Sequence, residues 1–176
     1  MPTSGVARRY ARAVFEIAKE ENDLDGWLRD LRAIRDQLQD PELEAFLTSP
    51  GVSTEAKQSR CDTLLSSTRE KARNLVSVLI LNHRTGLTPS IVASYEEELD
   101  RLRGIVHARV TTAITLNEAE AAKVGHRLGD ITGRQVVVST AVDPSILGGF
   151  VARIGDQLID ASVVGRLQAL RASLTA

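Results

Sequence analysis

Residues 88–115 have the sequence TPSIVASYEEELDRLRGIVHARVTTAIT, and the hydrophobic period changes inside this stretch. Before Gly104, apolar residues recur at the three- and four-residue spacing of one helix face: Ile91, Val92, Tyr95, Leu99 and Leu102. After Gly104, every second residue is apolar or β-branched, which is typical of a half-buried strand: Val106, Ala108, Val110, Thr112 and Ile114. The sequence therefore predicts an α+β protein of two domains, residues 1–104 and residues 105–176.

Upstream of this stretch the pattern is helical throughout. Ser4 is a candidate cap for a first helix to about Glu21. Further helices are predicted over about 24–38, shortly after Pro41, from residue 53 or 54 to 65, and over about 69–83. Thr88 and Pro89 then fit the N-cap and first position of a sixth helix. Short turns between the helices predict a compact six-helix bundle.

Downstream, three candidate strands are combined with two helical patterns. Asn117 and Glu120 have the spacing of a capping box, which predicts a helix after the first strand. Residues 135–142 form a second strand pattern, residues 150–159 are a candidate third strand, and a final helix follows. This arrangement predicts a small C-terminal α/β domain.

Composition argues against several classes of protein. The formal net charge of the 176 residues is −1, and neither domain has the basic excess that a phosphate backbone usually requires. Aromatic residues make up only 3% and do not interleave with basic clusters, so we expect no nucleic-acid partner. The apolar runs are too short to span a bilayer, and Cys61 is the only cysteine. A cytosolic or membrane-peripheral protein is expected.

Neither catalytic nor cofactor-binding patterns stand out. The three histidines fall on separate predicted elements without a second ligand at metal spacing, so no metal or cofactor is expected. Asp156 and Asp160 could form a carboxylate pair, but turn and cap roles are favoured. A phosphate-binding loop at Gly148–Gly155 would need a lysine and a following helix, and this segment has neither. A nucleotide-binding enzyme is therefore disfavoured, and we expect the glycines to allow a strand to kink or to approach another backbone.

The first and fifth helices carry more apolar surface than one core-facing stripe requires. On the first helix, Ala7, Ala11, Val14, Phe15 and Ala18 form one stripe, and Val6, Tyr10, Ala13 and Ile17 add an adjoining one. The fifth helix has a similarly wide apolar face. Either both helices lie at the centre of the bundle, or the extra stripes form a groove for a partner's amphipathic helix. Periodicity leaves both alternatives open.

Two segments resemble a known family. Residues 6–15 (VARRYARAVF) and residues 143–156 (DPSILGGFVARIGD), followed by 158–163 and by Arg166 and Leu167, resemble the δ subunit of F-type ATP synthase, the oligomycin-sensitivity-conferring protein of mitochondria. One departure is Val164, where a basic residue is expected. Length and domain order agree with the family, so the resemblance covers essentially the whole chain.

The resemblance implies a non-catalytic peripheral-stalk subunit. The N-terminal domain would bind the N-terminal helix of an α subunit between the first and fifth helices, at Tyr10, Ala13, Val14, Leu75, Val78, Leu79 and Asn82. The C-terminal domain would bind the b subunits, with Val163, Leu167 and Leu170 as candidate contacts. The protein would be peripheral, on the cytoplasmic face of the cell membrane, and would meet the membrane only through the complex. The alternative from another class is a helical adaptor or regulatory module with an unrelated partner.

The groove hypothesis makes a specific expectation at Leu79. If Leu79 lies at the groove centre, Leu79→Glu should weaken binding of the catalytic head without unfolding the domain.

Overall fold

The computed structural model describes residues 5–175, and the side chains at positions 169, 170, 172, 173 and 175 lie outside that description. The described part is a mixed helix and sheet protein with eight α-helices and one four-stranded sheet. Its helices are α1 Gly5–Glu20, α2 Leu24–Leu38, α3 Pro41–Thr48, α4 Thr54–Leu64, α5 Glu70–Leu81, α6 Thr88–Arg103, α7 Glu118–Thr132 and α8 Val163–Thr175; its strands are β1 Ile105–Thr112, β2 Gln135–Val142, β3 Phe150–Ile154 and β4 Gln157–Asp160. The chain divides into two compact units between Leu99 and Asp100.

The N-terminal unit has one apolar core to which each of α1–α6 contributes. Trp27, Leu31 and Ile34 bring the stripe of α2 into it, and each is at most 1% exposed. Phe15 of α1 meets Tyr95 of α6 edge to face, with ring centroids 5.5 Å apart. The core-facing stripe predicted on α1 is buried in full: Ala7, Ala11, Val14, Phe15 and Ala18.

Local capping chemistry explains where several of these helices begin. Asp23 accepts a hydrogen bond from the Gly26 amide at the start of α2, and Ser53 accepts one from the Ala56 amide at the start of α4. The candidate cap Ser4 lies outside the described residues. The prediction that Thr88 is the N-cap of α6 is wrong. A 3₁₀ turn over Thr85–Leu87 runs directly into α6 and gives Thr88 helical backbone angles.

In the C-terminal unit the sheet order is β2-β1-β3-β4. β1 and β2 are parallel and are connected through α7, whereas β1 pairs antiparallel with β3 and β3 antiparallel with β4. The predicted single strand over residues 150–159 is wrong. It is a hairpin, since Gly155 takes a φ of +57° and turns the chain back between β3 and β4.

The helix α7 packs on one face of this sheet. The predicted capping box is present, with Asn117 accepting from the Glu120 amide and the Glu120 carboxylate accepting from the Asn117 amide, each at 2.9 Å. The core between α7 and the sheet consists of Ala108, Val110, Leu128 and Ala152, all fully buried. This core is small, so much of the apolar surface of the C-terminal unit stays exposed.

Candidate partner-binding clefts

An apolar cleft lies between α1 and α5 in the N-terminal unit. Its volume is about 320 Å³, and it is lined by Tyr10, Ala13, Val14, Ile17, Trp27, Lys71, Asn74, Leu75 and Val78. The lining is mostly apolar, with Lys71 and Asn74 as its polar members. A cleft of this shape and chemistry suits the apolar face of an amphipathic helix.

The α1 wall of the cleft consists of the second apolar stripe. Tyr10 and Ile17 are half-buried and Ala13 is exposed, although all three belong to a helix whose neighbouring stripe is in the core. Val14 is 4% exposed and lies where the two stripes meet. The second stripe is therefore left open by the surrounding helices, as the groove alternative requires.

Two adjacent residues of α5 have different surroundings, one in the cleft and one in the core. Val78 is 43% exposed and lines the cleft beside the half-buried Leu75, whereas Leu79 is fully buried in the core. Successive helical residues are about 100° apart, which is enough to move a side chain from cleft to core. Leu79 therefore cannot lie at the groove centre. The expectation that Leu79→Glu would leave the domain folded is wrong, because the charge would be buried without a partner.

Asn82 is placed beyond the end of α5 and outside the cleft lining. Its Nδ2 donates a hydrogen bond to the carbonyl oxygen of Val78 at 2.7 Å, and its backbone caps the helix C-terminus. The sequence-predicted residues that the structure brings together in the cleft are Tyr10, Ala13, Val14, Leu75 and Val78.

Polar contacts close the two ends of the cleft and show that α1 and α5 run in opposite directions. At one end, Arg84 donates to the hydroxyl of Tyr10 at 3.4 Å. At the other, Lys71 forms an ion pair with Glu21 at 2.5 Å. Tyr10 precedes Glu21 in the chain whereas Lys71 precedes Arg84, so the two walls are antiparallel. Each end therefore has a hydrogen-bonding side chain within reach of an occupant.

Trp27 forms part of the cleft floor although it is only 1% exposed. Its indole Nε1 donates to Glu21 at 2.7 Å, and the guanidinium of Arg69 lies 4.8 Å from the ring centroid. Hydrogen bonds from Lys71 and then Trp27 lower the pKa of Glu21 below its ordinary value. The floor is thus fixed in one orientation before any partner arrives.

Arg69, directly before α5, connects the start of that helix with α2 and with the loop between α1 and α2. Its guanidinium donates to Asp30 at 2.5 Å and to Asp23 at 2.8 Å. Together with Glu21, these carboxylates hold the loop between α1 and α2, and α2 itself, against the start of α5. Planar, multidentate pairing of this kind is better suited to arginine than to lysine.

A second cleft of about 480 Å³ lies in the C-terminal unit between α7, the sheet and α8. It is lined by Arg127, Ile131, Gly149, Phe150, Ile159, Ala161, Val163 and Arg166. Val163, a sequence candidate for stalk contact, lines this cleft and is 44% exposed; Leu167, one helical turn later, is 57% exposed. The side chain of Leu170 lies outside the described residues.

The glycine-rich segment is part of this second cleft and has no phosphate-binding geometry. It leads into β3, and a strand replaces the helix that such a loop would precede. Gly149 has a φ of +77°, and a Cβ added there would lie 2.4 Å from the carbonyl oxygen of Ala161. The structure therefore bears out close backbone approach as the role of this glycine. Asp160 accepts a hydrogen bond from the Ser162 amide two residues later, which is the turn role expected of it.

The described residues contain no group of three or more histidine, cysteine, aspartate or glutamate side chains arranged to hold a metal ion. No helix among them has the length and apolarity to cross a membrane.

Sequence reasoning missed part of both clefts. Trp27 belongs to the single apolar stripe of α2, which indicates a core position, and its second role as cleft floor is invisible in that stripe. Arg127 and Ile131 were missed because they are far in sequence from α8. Their i and i+4 spacing on α7 was the one available signal, and it marks only a shared helix face.

The comparisons with known proteins agree on one family. A model of the family described as ATP synthase delta (OSCP) subunit matches residues 6–174. ATP synthase subunit delta of Gemmatimonas aurantiaca is 40% identical over 171 residues, covering 94% of this chain and 91% of that protein. The Dehalococcoides mccartyi protein of the same name is 37% identical over 166 residues, covering 94% and 92%. The fold matches a chain of the Toxoplasma gondii mitochondrial ATP synthase hexamer with a TM-score of 0.65 at 24% identity, over 98% and 99% of the two chains.

Proposed function

Since this chain belongs to the ATP synthase delta (OSCP) subunit family, we propose that its N-terminal unit holds the N-terminal helix of an α subunit in the cleft between α1 and α5. The protein is a structural, non-catalytic subunit of the peripheral stalk of ATP synthase. The family assignment does not favour an adaptor with an unrelated partner.

The single observation that supports this proposal is the open second stripe of α1. Tyr10, Ala13 and Ile17 belong to a helix that already supplies a full core-facing stripe, yet they line a cleft together with Leu75 and Val78 of α5. Apolar surface left open beside a complete core is characteristic of an interaction site. Tyr10 is the natural anchor because it combines a large apolar area with a hydroxyl that already meets Arg84.

The strength required of such a link is attainable. A nanomolar attachment corresponds to about −12 kcal/mol, and a well-packed interface burying about 1,600 Å² in total can supply it. Trp27 and the ion pairs around it are already ordered, so docking a helix costs little further ordering of the cleft floor.

The C-terminal unit is proposed to bind the b subunits through the cleft beside Val163. The six-helix domain, residues 1–104, would then hold the catalytic head, and residues 105–176 would hold the stalk. Joining the two prevents the head from turning with the rotor during proton-driven ATP synthesis. The complex is membrane-associated, and we place this subunit at its cytoplasmic face, bound to the membrane only through the complex.

Titration of the full chain with a synthetic peptide of the α-subunit N-terminal helix tests the head-binding proposal. Trp27, the only tryptophan, lines the cleft and reports binding by its fluorescence, with calorimetry as an independent readout. Ala13→Asp places an unpaired charge against the occupant and should lower the affinity at least about tenfold. Ala93→Asp is the control, because Ala93 is exposed on α6 and lines no part of the cleft. Equal affinities for the wild type and Ala13→Asp, or no binding to the wild type, would refute the proposal.

A further inference from the structure

The cleft of the C-terminal unit combines apolar walls with two arginines. Arg127 lies on α7 and Arg166 in the first turn of α8, and both line the cleft. Among the described residues, neither guanidinium has a hydrogen bond or ion pair to another group. Arg69 in the N-terminal unit, by contrast, pairs with three carboxylates. The cations of this cleft are therefore available to a partner.

Apolar side chains surround these cations on both helices. On α7, Ile131 is four residues after Arg127 and is 63% exposed. On α8, Val163 and Leu167 are four residues apart and flank Arg166, with exposures of 44% and 57%. Residues three and four apart are neighbours on a helix surface, so each helix presents an apolar patch next to a guanidinium.

We infer that the segment held in this cleft is an acidic amphipathic helix of the b subunit, with aspartate or glutamate side chains facing Arg127 and Arg166. This inference rests on the proposed binding of b subunits by the C-terminal unit and adds the chemistry by which the cleft selects its occupant. The volume of about 480 Å³ falls in the range of about 300–1,000 Å³ typical of binding pockets, so it can accept several side chains of a docked helix.

The apolar and charged parts of the cleft have different roles. Contact with Ile131, Val163 and the sheet supplies most of the affinity, because burial of apolar area is the main favourable term in association. The arginines supply orientation and selectivity, since a carboxylate pairs with a guanidinium in a defined planar geometry and a lysine on the partner would be repelled. A neutral apolar helix would leave both guanidinium groups partly desolvated without a counter-charge.

The test titrates the full chain with a synthetic peptide of the C-terminal segment of the b subunit, at low and high salt. Arg127→Gln and Arg166→Gln should each lower the affinity about fivefold, which corresponds to the upper range of an exposed ion pair. The wild-type affinity should fall on going from 0.1 to 1 M salt, where the screening length shortens from about 10 Å to about 3 Å. Arg109→Gln is the matched control, because Arg109 is an exposed arginine of β1 that lines no part of this cleft.

A second peptide, with its acidic residues replaced by their amides, completes the experiment. It should bind the wild type about as weakly as the acidic peptide binds a variant that carries both arginine substitutions, and it should bind the arginine variants no more weakly than it binds the wild type. Tight binding of the acidic peptide that is insensitive to salt, to both arginine variants and to amidation would overturn the inference while leaving the proposed stalk contact intact. An equal loss with Arg109→Gln would overturn it too. Failure of the wild type to bind either peptide would overturn the stalk contact itself and the inference with it.

Discussion

Val78 and Leu79 are adjacent in α5, and truncating each of them should separate partner binding from folding. Val78 is 43% exposed in the cleft, whereas Leu79 is fully buried in the core. We expect Leu79→Ala to destabilise the N-terminal unit with no direct effect on the cleft surface. We expect Val78→Ala to leave stability nearly unchanged and to weaken binding of the α-subunit helix.

The magnitudes follow from burial. Truncation of a fully buried leucine to alanine costs about 2–5 kcal/mol, because the removed atoms leave a cavity. Val78→Ala removes part of a partly buried side chain, which should lower the free energy of unfolding by less than about 1 kcal/mol. The better helix propensity of alanine offsets about half a kcal/mol of that loss. In the complex, the same change removes two methyl groups from the interface, worth about 1.5 kcal/mol or roughly a tenfold loss of affinity.

Stability and affinity can both be measured on the same set of variants. Trp27 is the only tryptophan and belongs to the N-terminal unit, so urea unfolding followed by its fluorescence reports that unit alone. Calorimetric titration with the α-subunit peptide gives the affinity of each variant. If Val78→Ala lost as much stability as Leu79→Ala, Val78 would be a core residue. If Val78→Ala kept the full affinity, the helix would not dock in this cleft. Either result would refute the reasoning.

Three further predictions concern stability. The pKa of Glu21 is lowered in the folded state, so its ion pair with Lys71 stabilises the fold at neutral pH, and this stabilisation is lost as the pH falls through the acidic range. The urea midpoint measured between pH 7 and 3 should therefore depend less on pH in Lys71→Ala than in the wild type. An unchanged pH dependence would argue against the ion pair. Asn117→Ala removes the capping box of α7 and should cost about 1 kcal/mol, measured by thermal unfolding of the C-terminal unit; no loss would mean that water replaces the cap. Gly149→Ala should disrupt the C-terminal unit, as seen by circular dichroism, because the new methyl group would collide with the backbone. Gly155→Ala has open space around it and should lower the stability by only about 1–2 kcal/mol, the cost of a left-handed alanine. Similar losses of stability in the two variants would contradict this account.

Much of the fold could be predicted from local patterns. The change of period at Gly104, the buried stripe of α1 and the capping box at Asn117 each depend on residues within a few turns of one another, and local propensity was sufficient for them. The predictions failed where a neighbouring segment decided the outcome. Thr88 is helical because a 3₁₀ turn precedes it, and the strand pattern after Phe150 is a hairpin because Gly155 adopts a left-handed conformation.

The two clefts show the limit of the same reasoning. The sequence alone established that α1 and α5 carry more apolar surface than one core face can use, because the angle between side chains is fixed by the helix itself. It could not distinguish a central helix from an open groove, since both satisfy the same periodicity. Only tertiary packing decided which residues face the core and which the cleft, and it buried Leu79 while leaving Val78 open. Which helices cover a given stripe is a property of contacts between distant segments, and no single helix encodes it.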